Sequence, residues 1–439
     1  MTKPELTTAQ VAAFHDHFTA RPNAVALARA AQKSGLFAAS EDPTASQRLH
    51  RVFSTEIETG KPTNQRHSGR CWSFAALNTL RHKFSAKYKV KDFELSQTYL
   101  FFWDRIERAN TFFSRVIETA DRPLDDRLVS FYFDMALTDG GQWANAAAII
   151  EKYGVVPEYV MPDTANTKDT TAVANYLNTL ARKDGLKLRE LVRSGMVGDR
   201  LTAARQEMMA DVYQVIATAF GEPAARFDLE FKDDDKQVHQ VLGLTPQQFY
   251  RDYFDTNLAN YVVLTNAPDH AFNQVYSLPS QDNVEGGLPI RFVNVDFDQF
   301  EAAALAQLKA GETVWVGNDV LQQMERKRGL MDAQLFRFDD LLGVDSQLSK
   351  KDRLQSRQAT VSHAMTLAGF NLKNGKPDRW KIENSWGKDN GDNGVFVMSE
   401  DWFEAYTYEM VINKKYLPTN LQVLATQPAS ELAAWDSLM

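Results

Sequence analysis

The chain has 439 residues, mass enough for about three domains and for a sizeable core without a metal or disulfide staple. Its 49 Lys+Arg against 57 Asp+Glu give a net charge of −8, which argues against a protein built to hold nucleic acid or an anionic membrane surface. A single cysteine, Cys71, excludes an intramolecular disulfide framework and points to a reducing, cytoplasmic setting. No apolar run approaches the roughly 18 residues of a membrane span, and the first residues lack the basic-then-apolar pattern of a signal peptide.

Residues 1–60 read as a helical segment that packs on the core: Thr7 or Thr8 caps a helix through Phe18, with Val11, Phe14 and Phe18 at helical spacing. His15 and His17 in that helix, and the run Asp233-Asp234-Asp235 further on, read as solvated faces rather than metal sites. A loop follows, rich in Pro, Asn, Ser and Gly, over 61–70. The next helix carries Trp72, Ala76, Leu80 and Phe84 as a buried stripe, so Cys71 stands where the loop becomes a helix N-terminus. Aromatic helices are predicted over 94–118 and roughly 143–153, the second preceded by a tight turn at Asp139-Gly140-Gly141-Gln142. From about 165 to 256 the chain is charged and reads as helical throughout, with Met208, Met209, Val212 and Val215 as one packing stripe.

After about 257 the texture changes to short β-branched and aromatic runs between turn residues. Helices first and an antiparallel sheet later make an α+β arrangement. Residues 416–439 follow as a polar arm.

A thiol at a helix N-terminus is favoured as thiolate, the nucleophilic form, by the helix dipole. A nucleophile needs a base, and His363 lies in a predicted strand with Val361, Met365 and Leu367 on its face. Asn374-Gly375 reads as a hairpin turn midway between His363 and Asn384, which brings Asn384 across to orient the imidazole. Gln65, six positions before Cys71, could join the Cys71 backbone N–H in stabilising an oxyanion. Each residue also has a plain structural reading: a small core thiol, a core histidine, a cross-strand pair and a polar loop residue.

Together these residues are far more specific than apart. Asn64 to Phe74 resembles the active-site segment of papain-type cysteine peptidases, and Ser362-His363-Ala364 and Glu383-Asn384-Ser385-Trp386-Gly387 resemble that family's His and Asn segments. The second cysteine of the papain signature, three residues before the nucleophile, is here Ser68, which fits a branch outside the secretory pathway. His363 lies much further from Cys71 than the roughly 130–150 residues of papain-type enzymes, so about 150 residues are inserted. GRCWSFAALNTLR, FELSQTYLFFWDRIERAN, DGGQW, VWVGNDV and SHAM are similar to the bleomycin hydrolase and aminopeptidase C family.

The resemblance implies a two-lobed papain-like core, with a helical lobe over 61–164 and a β-barrel-like antiparallel lobe over 257–415. It further implies a helical insertion over 165–256 serving oligomerisation, a homohexameric ring, and an arm reaching the active-site cleft. Peptides are the implied substrates; no cofactor or metal is implied. By position Cys71 is the nucleophile, His363 the general acid/base, Asn384 its orienter and Gln65 an oxyanion donor. Trp386 shields the His–Asn bond, Gly140 and Gly141 meet substrate main chain, and the final carboxylate, here of Met439, or the Asp436 side chain meets the substrate's free amino group. Family members often end in a longer tail, so two activities stay open: an aminopeptidase, and an endopeptidase of short peptides. A ring-forming nucleic-acid or scaffold protein with an idle triad is the alternative outside enzymology.

Overall fold

A computed structural model of the protein describes residues 5–438. Thr7 caps helix α1 (Thr8–Ala20) through a reciprocal capping box with Gln10, as its position in the sequence predicts. Helix α1 itself, however, does not make the expected packing on the core. No residue of α1 is buried, and Val11, Phe14 and Phe18 are about half exposed. The segment is held to the body by its later part instead: Arg48 pairs with Asp332 at 3.0 Å, and the two-residue strand Thr55–Glu56 joins the main sheet opposite Gly369 and Phe370.

The helical lobe is built on α2 (Cys71–Tyr88), α3 (Gln97–Glu118), α4 (Arg127–Met135) and α5 (Trp143–Tyr153). The predicted stripe of α2 is buried, but so is every residue from Trp72 to His82, because helices cover it on one side and the sheet on the other. Two long helices, α6 (Thr171–Arg193) and α7 (Gly198–Phe220), pack on α3 and bury Leu177, Leu188, Val212 and Ile216 in the same apolar cluster as Leu80 and Phe84.

The expectation of helix throughout 165–256 fails over 227–244, ahead of a last helix at Pro246–Phe254. Strands β1 (Phe227–Lys232) and β2 (Val238–Leu244) form an antiparallel hairpin. Phe227 and Leu229 alternate with exposed Asp228 and Glu230, the two-residue period of a half-buried strand, and the charges of that period mask it in a helical reading.

The second lobe is a sheet of twelve strands, the longer ones β3 (Tyr261–Thr265), β4 (Gln274–Ser277), β5 (Arg291–Asn294), β6 (Val314–Asn318), β7 (His363–Lys373), β8 (Lys376–Glu383), β9 (Val395–Ser399) and β10 (Thr407–Asn413). Their order is β4-β5-β3-β10-β6-β7-β8-β9, antiparallel except for β3 against β5 and two short edge pairings. Strands β10, β6 and β7 lie side by side at its centre, and α2 packs on β7 and β6. The lobes therefore meet where α2 lies on the middle of the sheet.

Three contacts fasten that junction. Trp315 Nε1 donates to the Trp72 carbonyl at 3.1 Å, and Thr366 Oγ1 to that of Ala75 at 3.4 Å. Beneath them Glu383, at the end of β8, is buried between Arg81 and His82 of α2, the imidazole 3.0 Å away. Such a bridging carboxylate is costly to desolvate and costlier still to leave unpaired, so it fixes how α2 seats on β8.

Candidate active site

The loop 61–70 ends at Cys71, where α2 begins. Arg70, the residue before the helix, is fully buried; it donates to Ser68 Oγ at 2.9 Å and to the Thr167 carbonyl at 2.6 Å, and pairs with Asp163 at 3.1 Å. Ser68 Oγ in turn donates to the Gln65 carbonyl at 2.6 Å. A polar network thus stiffens the loop at the position where the papain signature has its second cysteine. First-turn helical N–H groups have no partner within the helix, which leaves those of Cys71 and Trp72 aimed at Sγ together with that of Ala364 on β7. Burial pushes the Cys71 thiol up, and these three N–H groups pull the other way.

Across the junction, β7 begins at His363 and turns at Asn374-Gly375, both at positive φ as a two-residue hairpin requires, into β8. Thr366 stands opposite Glu383, so Asn384 emerges just past the pairing. Its Oδ1 accepts a hydrogen bond from His363 Nε2 at 2.8 Å. An oxygen acceptor there requires the proton on Nε2 and leaves Nδ1 as the free base. Trp386 lies over the imidazole, ring centroids 4.8 Å apart at 32°, and the Arg326 guanidinium stacks on the indole at 4.5 Å from its centre. Asn384 is fully buried and His363 nearly so. Burial holds His363 down to about 4, the Asn384 bond opposing and the Arg326 charge adding to it.

Cys71, His363, Gly140 and Gly141 line one cavity of about 240 Å³. Its walls come from α3 and α4 (Phe112, Phe131, Tyr132, Met135) on one side and from the sheet (Trp315, Gly317, Ala364) and Val361, just before β7, on the other. Trp72 Nε1 donates to the Asp139 carbonyl at 3.0 Å and pins the turn of Gly140 and Gly141 beside the cysteine. A Cβ at Gly141 would stand 2.8 Å from the Trp72 ring, so only glycine allows this approach; one at Gly140 would meet nothing within 4 Å. Gln65 does not line this cavity and is held in the loop before the cysteine. Its Oε1 accepts from Ser385 Oγ at 2.7 Å and its Nε2 donates to the Ser68 carbonyl at 2.6 Å, which leaves one amide hydrogen free. Its backbone N–H donates to the Ser385 carbonyl at 2.8 Å, tying the loop to the segment that carries Asn384.

A thiol at a helix start and a tautomer-fixed imidazole on one cavity form the geometry of nucleophilic acyl transfer. The Peptidase C1-like family matches residues 5–439. The chain belongs to that family. It is 52% identical to aminopeptidase G of Lactobacillus delbrueckii subsp. lactis and 50% identical to aminopeptidase E of Lactobacillus helveticus, each over 99% of both chains. Aminopeptidase C of Lactobacillus helveticus is 42% identical over 99% of this chain and 98% of that one. The crystal structure of PepW from Lactobacillus rhamnosis HN001 superposes with a TM-score of 0.97 at 42% identity, covering 99% of this chain and 98% of that one. The α+β, papain-like architecture and the cysteine-peptidase class follow from this membership.

Not every predicted site residue reaches the cavity. Asp436 does not line it: its carboxylate accepts from His270 Nε2 at 3.2 Å, while His270 Nδ1 donates to Asp269 at 2.9 Å. Flanked by two carboxylates, His270 is held up at about 10, so Asp436 is engaged in a doubly charged clamp. Met439 lies outside the described residues. The residue that sequence reasoning missed is Glu409, in the middle of β10 and lining the cavity. Its signal was a lone carboxylate between Tyr408 and the apolar run Met410-Val411-Ile412, which reads equally well as the solvent face of an alternating strand. Among the described residues, no group of three or more His, Cys, Asp or Glu side chains is arranged to hold a metal ion.

Proposed function

We propose that this chain is a cysteine aminopeptidase that removes N-terminal residues from short peptides through Cys71, His363 and Asn384. The observation that carries the reading is the shared cavity: a nucleophile at a helix N-terminus faces an imidazole whose Nε2 is committed to Asn384. Nδ1 of His363 takes the Sγ proton as the sulfur attacks the substrate carbonyl. The free amide hydrogen of Gln65 and the Cys71 N–H receive the developing oxyanion. His363 then donates its proton to the leaving amine, and a water, deprotonated by the same nitrogen, releases the acyl group from sulfur. Trp386 and Arg326 keep water from the His–Asn bond, and the turn at Gly140 and Gly141 offers main-chain groups to the peptide.

The arm over 416–438 supports the aminopeptidase form of this reading. The Arg127 guanidinium stacks 3.7 Å from the centre of the Trp435 ring, and Arg127 opens α4, whose next turns wall the cavity. We assign the setting as cytoplasmic, where a lone thiol stays reduced. No helix of the described residues is long and apolar enough to cross a membrane. The assembly is a homohexamer in this reading, with the exposed apolar face of α1 and the 165–256 segment as contact surfaces; an apolar stripe of that kind calls for a covering partner.

An endopeptidase is the second reading, favoured by the fact that no residue of 416–438 lines the cavity. One experiment separates the two. A short peptide with a free N-terminus and its N-acetylated twin are digested under reducing conditions, with Cys71→Ala as control, and the cuts are located by mass spectrometry. Stepwise loss of residues from the free peptide alone is the expected result. Internal cuts in both peptides would replace the aminopeptidase reading with the endopeptidase one, and equal cleavage by Cys71→Ala would overturn the mechanism.

A further inference from the structure

Strands β10, β6 and β7 bring three residues into one row beside the nucleophile. Glu409 pairs with Gly317, and Gly317 pairs with Ala364, whose N–H points at Cys71 Sγ. Two strand spacings, about 10 Å, therefore separate the Glu409 backbone from that of Ala364. The middle position has no side chain. A Cβ on Gly317 would stand 3.1 Å from Val361 Cγ1 and 3.3 Å from Glu409 Oε2, so glycine keeps the path from the thiol to the carboxyl open.

Glu409 is 1% exposed, and its Oε1 has no hydrogen-bond partner among the described residues. It is also the one carboxylate among the described residues lining the cavity. A buried carboxyl without a donor is costly, and proteins leave one so only where something else completes it. The two cations that share the lining are already engaged. Arg108 binds Asp104 and the Gly140 carbonyl, and Arg115 binds the carbonyls of Pro279 and Asp282. The remaining ionisable groups facing the space are Tyr132 on α4, Cys71 and His363. Burial alone holds Glu409 up at about 8, with no charged neighbour to lower it.

We propose that Glu409 is the specificity-determining carboxyl of this cavity, which ionises as it binds an organic cation of the substrate about one residue from the scissile carbonyl. The inference rests on the peptidase reading and deepens it. The recognised group is an ammonium or guanidinium, and it has two sources: the substrate's own α-ammonium, or the side chain of a Lys or Arg adjacent to the bond that is cut. The aromatic and thioether wall of Phe131, Tyr132 and Met135 suits the alkyl portion of either.

The test is a competition in one tube, where the ratio of kcat/KM values does not depend on how much of a variant is correctly folded. Peptides that differ only by Lys or norleucine next to the scissile residue, each free or N-acetylated, are mixed with the full-length protein or with Glu409→Gln, and their depletion is followed by mass spectrometry. A charge-assisted hydrogen bond to a buried carboxylate supports a preference of about 10- to 100-fold for the cationic member. The expected result is such a preference in the native protein, falling to within about threefold of unity in Glu409→Gln. A preference that follows Lys over norleucine in both free and acetylated pairs assigns the side-chain source; one that follows free over acetylated peptide assigns the α-ammonium. No preference in the native protein, or one that Glu409→Gln leaves intact, overturns the assignment while peptide cleavage upholds the peptidase. No cleavage of any peptide overturns both.

Discussion

The two halves of the proposed catalytic pair are held in position by different means. Cys71 and Gln65 belong to one short stretch of chain, set by a helix start and by the Arg70–Ser68–Gln65 network within six residues. His363 and Asn384 lie on opposite sides of a hairpin, and their meeting depends on register, on the turn at Asn374-Gly375 and on the Trp386 lid. The nucleophilic half is local and stiffened by polar contacts to the backbone. The basic half is non-local and buried, so its chemistry is set by what covers it. Perturbing the first should mainly disturb transition-state donors, and perturbing the second should mainly disturb proton transfer.

His363→Ala should have the largest effect. It removes the base while leaving the thiol and its helix intact, and kcat should fall by at least about 10⁴-fold, read with a chromogenic dipeptide. Gln65→Ala should cost about 10²- to 10³-fold in kcat with little change in KM, because it deletes a donor that acts on the oxyanion. Equal loss in kcat and in binding would show that the loop, rather than the donor, had failed.

The pH profile sharpens the comparison on the sheet side. Burial and Arg326 hold His363 near 4, so the imidazole stays unprotonated and able to accept the Sγ proton until the pH falls to that region. The acid limb of kcat/KM should therefore lie well below the ordinary imidazole value of about 6.5. Trp386→Ala lets water reach the ring, relieves the desolvation and should move that limb upward. The sign for stability runs the same way. Between about 6.5 and 4 the unfolded chain binds a proton at this histidine that the folded one refuses, so folding weakens as the pH falls through that window.

Glu383→Ala acts on neither half but on their junction. It leaves Arg81 unpaired beneath the active site and should cost about 3–5 kcal/mol of stability by denaturant titration, with activity lost in proportion to unfolding. Ser68→Ala should be mildest. It removes one bond to Gln65 and one from Arg70, about 1–3 kcal/mol, with a kcat loss smaller than that of Gln65→Ala.

Much of the site could be read from the chain. The loop–helix boundary at Cys71 and the turn between His363 and Asn384 leave short-range marks, namely turn residues, helical spacing and strand alternation, whereas the cover of Trp386 was implied by the family resemblance alone. Where those marks mislead, a tertiary neighbour had decided the outcome. The stripe of α1 has the spacing of a buried face and yet buries nothing within the chain. The β1–β2 hairpin carries enough charge to pass as helix. Asp436, with a carboxylate near the chain end, reads as a partner for a substrate amine but is claimed by His270, far away in sequence.

The amino-acid sequence by itself pointed to the proposed nucleophile, its base and the orienting amide, through local spacing joined to the resemblance of their segments to papain-type enzymes, and the texture of the chain gave its α+β order. Tertiary structure alone decided what faces the cavity. Glu409 looks toward the nucleophile because β10 lies beside β6, and the glycine that opens the path between them stands on a different strand. The titration of the two reacting groups is likewise a product of burial, since only the closed junction of the two lobes removes the water that would otherwise hold the thiol and the imidazole near their ordinary values.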